Sequence, residues 1–222
     1  MRVYSLLIFD WDGTVMDSTD RIVSSIQSAA QDLDLLALQD HEAREIIGLG
    51  LRAAIQQLYP GINDALIEPL KERYSYYYLE ADRTPTSLFP GAKKTLESLH
   101  EKGFRLAVAT GKSRRGLDRV LAETGLGWLF EVTACADETA SKPKPDMLMD
   151  IFQRTGVEPE QAVMIGDTEF DLEMAVRAGV DRMAVSYGAH HIERLRKYQP
   201  ILEIHNFHEL EAWLDDNAGE NK

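Results

Sequence analysis

The chain has 222 residues and a formal net charge of −13, with 37 acidic side chains against 24 basic ones. That balance argues against nucleic acid or an anionic membrane surface as the main partner. The 44% apolar and 27% charged content is that of a globular protein with a sizeable core, and the lone Cys135 rules out an internal disulfide framework and fits a reducing cytoplasm.

Val3 to Phe9 reads as a short buried strand that ends at Asp10. The apolar run Leu6–Phe9 is too brief for a signal peptide, and no stretch approaches the length needed to span a bilayer, so a cytoplasmic location is expected. Beyond Ser18 the pattern becomes helical. Ile22, Val23, Ile26, Ala29, Ala30 and Leu33 share one face, with Ser18 or Thr19 as cap. Ala43, Ile46 and Ile47 suggest a second helix ended by Gly48; Leu51–Leu58 a third, ended by Pro60-Gly61; Ile67–Leu79 a fourth. Strands and helices then alternate: helix Gly91–Glu101, strand Arg105–Thr110, helix Arg114–Thr124, an apolar segment near Phe130–Ala134, helix Asp146–Thr155, strand Ala162–Ile165, helix Glu169–Ala178, strand Arg182–Val185, a strand near Ile201–Ile204 and helix Phe207–Leu214. The tail Asp215–Lys222 is expected to fray.

This order predicts an α/β fold: a Rossmann-like parallel sheet with helices on both faces. The core is expected to comprise residues 1–15 and 86–222, with a small all-helical cap, residues 16–85, inserted after the first strand. Ligands bind beyond the carboxyl ends of such strands, which is where the insert would sit.

Four segments carry the chemistry. Asp10-Trp11-Asp12-Gly13-Thr14 ends the first strand, so Asp10 and Asp12 point to one side and Trp11 to the other. Two neighbouring carboxylates are costly without a cation. Thr110-Gly111 ends a second strand, where a hydroxyl and free N–H groups suit phosphate oxygens, although alone the pair reads as a cap and a turn. Lys112 reads as a surface residue. Ser141-Lys142-Pro143-Lys144-Pro145-Asp146 is a stiff loop that either aims Lys142 or serves as a connector with solvated lysines. Gly166-Asp167-Thr168-Glu169-Phe170-Asp171 follows a further strand; Asp167 is a cap or a ligand, and Asp171 falls on the same face one turn later.

Taken in order, DxDGT, Thr after a strand, Lys-Pro-x-Pro-Asp and GDxxxD resemble the haloacid dehalogenase-like (HAD) hydrolase superfamily, and within it the phosphoglycolate phosphatase-like group with a helical cap. The resemblance spans nearly the whole chain. It implies a Mg²⁺-dependent phosphatase. Asp10 would be nucleophile and metal ligand; Asp12 would be general acid and then base, with its carbonyl on the metal. Thr110 and Gly111 would bind phosphate, and Lys142 would hold phosphate and Asp10. Asp167 would bind the metal, with Asp171 as ligand or support. The metal and Lys142 would also offset the repulsion between an anionic substrate and the acidic chain.

The segment Gly48-Leu49-Gly50-Leu51 resembles the family's substrate-specificity loop, but a plain turn between helices fits equally. Tyr74, Tyr76, Tyr77 and Tyr78 read as cap core, and the histidines show no metal spacing. The expected partner is a small phosphorylated metabolite, phosphoglycolate-like or a sugar phosphate, with the protein a monomer or homodimer. Asp12 argues against dehalogenation, which transfers no phosphoryl group. The β-phosphoglucomutase branch has a cap histidine twelve residues after the nucleophile, where this chain has Ile22, so a mutase is disfavoured; a pyrophosphatase stays open. A phosphorylatable signalling or binding module is a further alternative, against which the helical insert and the Asp167/Asp171 pair speak.

Overall fold

The computed structural model describes residues 4–219. Six parallel strands form the main sheet: β1 (Leu6–Phe9), β4 (Arg105–Thr110), β5 (Phe130–Cys135), β6 (Ala162–Gly166), β7 (Asp181–Val185) and β8 (Leu202–Ile204). Their spatial order is β5-β4-β1-β6-β7-β8. The central β1 pairs with β4 on one side and β6 on the other, so these three ends, where the chain reverses its direction of winding, lie together.

Alternate side chains enter opposite layers, as the two-residue period of a strand requires. Leu7, Phe9, Leu106, Val108, Val163 and Ile165 join one cluster, with Leu96 and Leu99 of α5 (Ala92–Glu101), Leu117 and Val120 of α6 (Arg114–Thr124) and Phe207 and Leu210 of the C-terminal helix (Phe207–Gly219). Leu6, Ile8, Ala107, Ala109, Ala162 and Met164 join the other, with Leu148 and Ile151 of α7 (Asp146–Thr155) and Met174 and Ala175 of α8 (Glu169–Ala178). The expected α/β architecture is thus the observed one, with near-continuous apolar strands because both faces are covered.

The intervening segment packs around its own core. α1 (Thr19–Asp32), α2 (Asp40–Arg44), α3 (Leu51–Leu58) and α4 (Asp64–Tyr76) surround Ile22, Ile26, Ile47, Ile55, Ile67 and Leu70. Where the chain enters and leaves this unit, β2 (Met16–Asp17) and β3 (Ser87–Leu88) pair antiparallel. Two residues per strand are too few to leave a periodic pattern, and the sequence did not suggest them.

Several boundaries differ from expectation. The first strand begins at Leu6, and Val3 lies outside the described residues. α2 starts at Asp40 behind a capping box between Gln39 and Glu42 and ends at Arg44, and the chain turns through Glu45–Gly48. α4 runs from Asp64 to Tyr76 after Asn63, whose side chain accepts from the Ala65 amide at 3.0 Å, and a wide π turn follows over Tyr77–Ala81. The C-terminal helix does not stop at Leu214. It continues to Gly219, with Lys102, the residue that caps the end of α5, bridging Glu211 at 2.8 Å and Asp215 at 2.7 Å; residues 220–222 lie outside the description. Among the described residues no helix is long and apolar enough to cross a membrane.

Candidate active site

β1 delivers Asp10 and Asp12 past its carboxyl end, while Trp11 turns inward and packs edge-on against Phe130, with ring centroids 6.0 Å apart. Both acids line a cavity of about 600 Å³ between the sheet edge and the helical unit. β6 delivers Asp167, and α8 starts two residues later, at Glu169. The N-cap of α8 is Thr168, not Asp167. The Thr168 hydroxyl accepts from the Asp171 amide, and the Asp171 carboxylate accepts from the Thr168 N–H at 3.0 Å. That reciprocal cap leaves the Asp167 carboxylate for other partners.

Asp10, Asp167 and Asp171 form one cluster, each offering an oxygen within 4.8 Å of the others, all buried. Lys142 enters from the proline-bounded loop with its ammonium fully buried, 2.7 Å from Asp10 Oδ1 and 2.6 Å from Asp171 Oδ1. Burial, reinforced by Asp171 and Asp167, raises the Asp10 carboxyl well above the ordinary range despite the opposing pull of Lys142. Burial and the neighbouring Asp171 push Asp167 up to about 7. Lys142 goes the other way: burial alone would lower it, but Asp10 and Asp171 hold it above its usual value.

Three carboxylates share one lysine, so the cluster carries excess negative charge. Asp10 Oδ2 is buried without a hydrogen-bond partner. Two carboxylate oxygens of Asp167 are fixed by Thr14 Oγ1 and by the Ala189 amide, each at 2.8 Å. A hard divalent cation with oxygen ligands fits this donor set: it would satisfy the unpartnered Asp10 oxygen and offset the repulsion. Asp171 likewise has both oxygens occupied, by Lys142 and by Thr168.

The approach of these acids depends on glycine. Gly13 sits at φ +84°, and a Cβ there would lie 2.2 Å from Asp167 Oδ2. At Gly188 a Cβ would lie at the same distance from the Asp167 Cβ.

Asp12 stands apart from this cluster. Its Oδ1 accepts from Ser18 Oγ and lies 2.9 Å from Lys112 Nζ. Ser18 does precede α1, as expected, but its hydroxyl is drawn to Asp12 and makes no cap hydrogen bond. Lys112 is the main correction to the sequence reading. It is buried, not a surface residue, and donates to Tyr78 Oη at 2.9 Å from the cap. Burial would lower its pKa, but Asp12 and the tyrosines raise it. Its position directly after Thr110-Gly111, at a strand end, was the available signal. Thr14, the last residue of the DxDGT motif, and Ser18, read only as a helix cap, also touch the acids of the site.

Thr110 is buried at the end of β4, its hydroxyl accepting from the Lys112 amide at 3.2 Å; Gly111 lines the cavity. Lys144 is exposed. Gly48 to Leu51 line the cavity and touch the core: Gly50 N donates to Ser141 Oγ at 2.7 Å, and a Cβ on Gly111 would meet the Leu49 carbonyl at 2.6 Å. Tyr78 belongs to the cap core, as read, yet it and Tyr74 also line the cavity; Tyr76 is exposed. His190 is buried and accepts from the Glu169 amide at 3.2 Å.

A parallel sheet whose central strand ends open on a buried carboxylate–lysine cluster under a helical cap defines a hydrolase of the doubly wound α/β class. The profile of the Haloacid dehalogenase-like hydrolase family matches residues 7–185. The "Probable phosphatase IndB" of Dickeya dadantii is 32% identical, with 92% of this chain and 91% of that protein covered. The phosphoglycolate phosphatase of Aliivibrio fischeri is 30% identical, with 94% and 96% covered. Among solved structures, a haloacid dehalogenase-like family hydrolase from Streptococcus pneumoniae superposes with a TM-score of 0.82 at 24% identity, covering 95% of this chain and 98% of that one. The chain belongs to the haloacid dehalogenase-like hydrolase family and is a phosphatase, similar to the phosphoglycolate phosphatases.

Proposed function

We propose that the protein hydrolyses the phosphomonoester of a small metabolite, phosphoglycolate-like or a sugar phosphate, through an aspartyl phosphate on Asp10, with Mg²⁺ as the cation. The observation that carries this reading is the unpartnered Asp10 oxygen beside Lys142 and two further buried acids. Asp10 is the nucleophile: its carboxylate forms a bond to phosphorus as the ester oxygen leaves. Asp12, on the cavity side and held by Ser18 and Lys112, gives a proton to that oxygen and later takes one from the water that cleaves the aspartyl phosphate. Lys142 offsets charge on the transferring group and fixes Asp10. Gly111, with the hydroxyl of Thr110 beside it, cradles phosphate oxygens.

Asp10, Asp167, the Asp12 carbonyl and, directly or through orientation, Asp171 would hold Mg²⁺, which when bound supplies charge neutralisation at the phosphoryl oxygens. We take residues 1–15 and 86–222 as the catalytic core and 16–85 as the cap; their separate apolar clusters support that division. The protein is expected to act in the cytoplasm without nucleic acid. The test is p-nitrophenyl phosphate hydrolysis: turnover with Mg²⁺ and none with EDTA is expected, and Mg²⁺-independent turnover would contradict the metal's part.

A further inference from the structure

The cavity beside Asp10 and Asp12 is larger than the reaction alone requires. Its volume of about 600 Å³ falls in the range of sites that enclose whole metabolites. Leu51 and the tyrosines Tyr74 and Tyr78 give its cap side an apolar stretch, backed by the buried Ile22, Ile26 and Ile47. Tyr74 and Tyr78 stack on each other with centroids 5.7 Å apart, giving a rigid aromatic edge to that wall.

The cations that line the cavity, Arg52, Lys71 and Lys112, are already paired with acids. Lys112, the buried cation next to Asp12, is shared between the Asp12 carboxylate and Tyr78. Arg52 and Lys71 stand at the more exposed end, and both pair with Glu68, at 3.2 and 2.9 Å; Asp64 lies 3.9 Å from Arg52. A substrate carboxylate would have to displace Asp12 from Lys112 or compete with these acids, and a two-carbon acid would leave most of the apolar wall facing water. Neutral polar side chains, Gln56 and Ser75, also line the space and suit hydroxyl groups.

We propose that this cavity takes the phosphomonoester of an uncharged, ring-bearing alcohol of sugar or nucleoside size, in preference to that of a two-carbon acid. The inference rests on the phosphatase reading above and chooses within it. The shared chemistry is a neutral polyhydroxylated ring; the aromatic edge and apolar wall bind its faces while the phosphate lies at Asp10.

The test compares kcat/KM, with Mg²⁺, for glucose 6-phosphate, uridine 5′-monophosphate, 2-phosphoglycolate and p-nitrophenyl phosphate. At least one ring ester is expected to exceed 2-phosphoglycolate by about tenfold or more, the scale on which one pocket contact discriminates. 2-Phosphoglycolate equal to both ring esters, better than both, or within that margin overturns the inference and leaves the phosphatase reading standing. No turnover of any of the four removes the phosphatase reading and the inference with it. Filling the cavity with Ser75→Leu, or with Gln56→Trp at an exposed position that tolerates substitution, is expected to cut the ring-to-phosphoglycolate ratio by about tenfold. An unchanged ratio in both variants, with wild-type melting temperatures, would overturn the assigned position of the ring.

Discussion

On the core side of the cavity, Asp10, Lys142 and Asp171 hold one another at 2.6–2.7 Å, and Asp167 is pinned by Thr14 and a backbone amide. On the cap side, Ile22, Ile26, Ile47 and Tyr74 offer mostly apolar contact, and the links to the chemistry run from Tyr78 through Lys112 to Asp12 and from Ser18 directly to Asp12. The core side is over-determined: several charged groups fix each other in a buried setting, so a change of one disturbs all. The cap side is permissive, since apolar walls tolerate exchange of shape and size. Under the proposed reading, reaction and substrate choice would be carried by different regions, and each could be altered separately.

The sharpest break of that contrast is Asp10→Asn. It keeps the side chain's volume and one acceptor, so the fold should persist, while p-nitrophenyl phosphate turnover is expected to fall about 10⁴-fold or more, as for loss of other covalent nucleophiles. Steady-state kinetics with a melting curve on the same sample checks both halves; retained turnover would remove Asp10 from the reaction. Lys142→Met should strike activity and stability together, because it strands two buried carboxylates. A loss of about 3–5 kcal/mol in chemical denaturation is expected, the usual cost of removing one member of a buried pair. A loss below 1 kcal/mol would show that the core side is less tightly coupled than its geometry indicates.

A smaller effect follows from the raised carboxyls. Burial puts Asp167 up to about 7 and moves Asp10 in the same direction. In the metal-free protein these groups keep protons that the unfolded chain gives up from about pH 4. Their contribution is fully present below that point and is lost as pH rises through about 7. With EDTA, the melting temperature should drop between about pH 5 and pH 8, and Mg²⁺ should raise it more at the higher pH. Equal Mg²⁺ stabilisation at both would dissociate the acid cluster from cation binding.

The two regions also differed in how far they could be read from the chain. Asp10, Asp12, Lys142 and Asp167 lie at strand ends or in a proline-bounded loop, where a polar residue after an apolar run stands out and parallel topology brings such ends together. Lys112 does not stand out, because lysines are usually exposed and its burial arises only from the helical unit closing over β4. The start of α2 was hidden for a different reason: Gln39 is a weak capping type, and its box with Glu42 is a side-chain arrangement that periodicity does not register. The helical face of α1 gave its core residues correctly but not the diversion of Ser18 to Asp12, a tertiary choice between two acceptable partners for one hydroxyl.

The most direct measurement traps the covalent step. Asp12→Asn slows loss of the phosphoryl group, and p-nitrophenolate leaves without needing an acid, so the acyl phosphate should accumulate. Quenching this variant during turnover, reducing with borohydride and sequencing peptides by mass spectrometry is predicted to find homoserine at position 10. Homoserine at another carboxylate, or an unreduced Asp10 in a sample that had released a burst of p-nitrophenolate, would contradict the account.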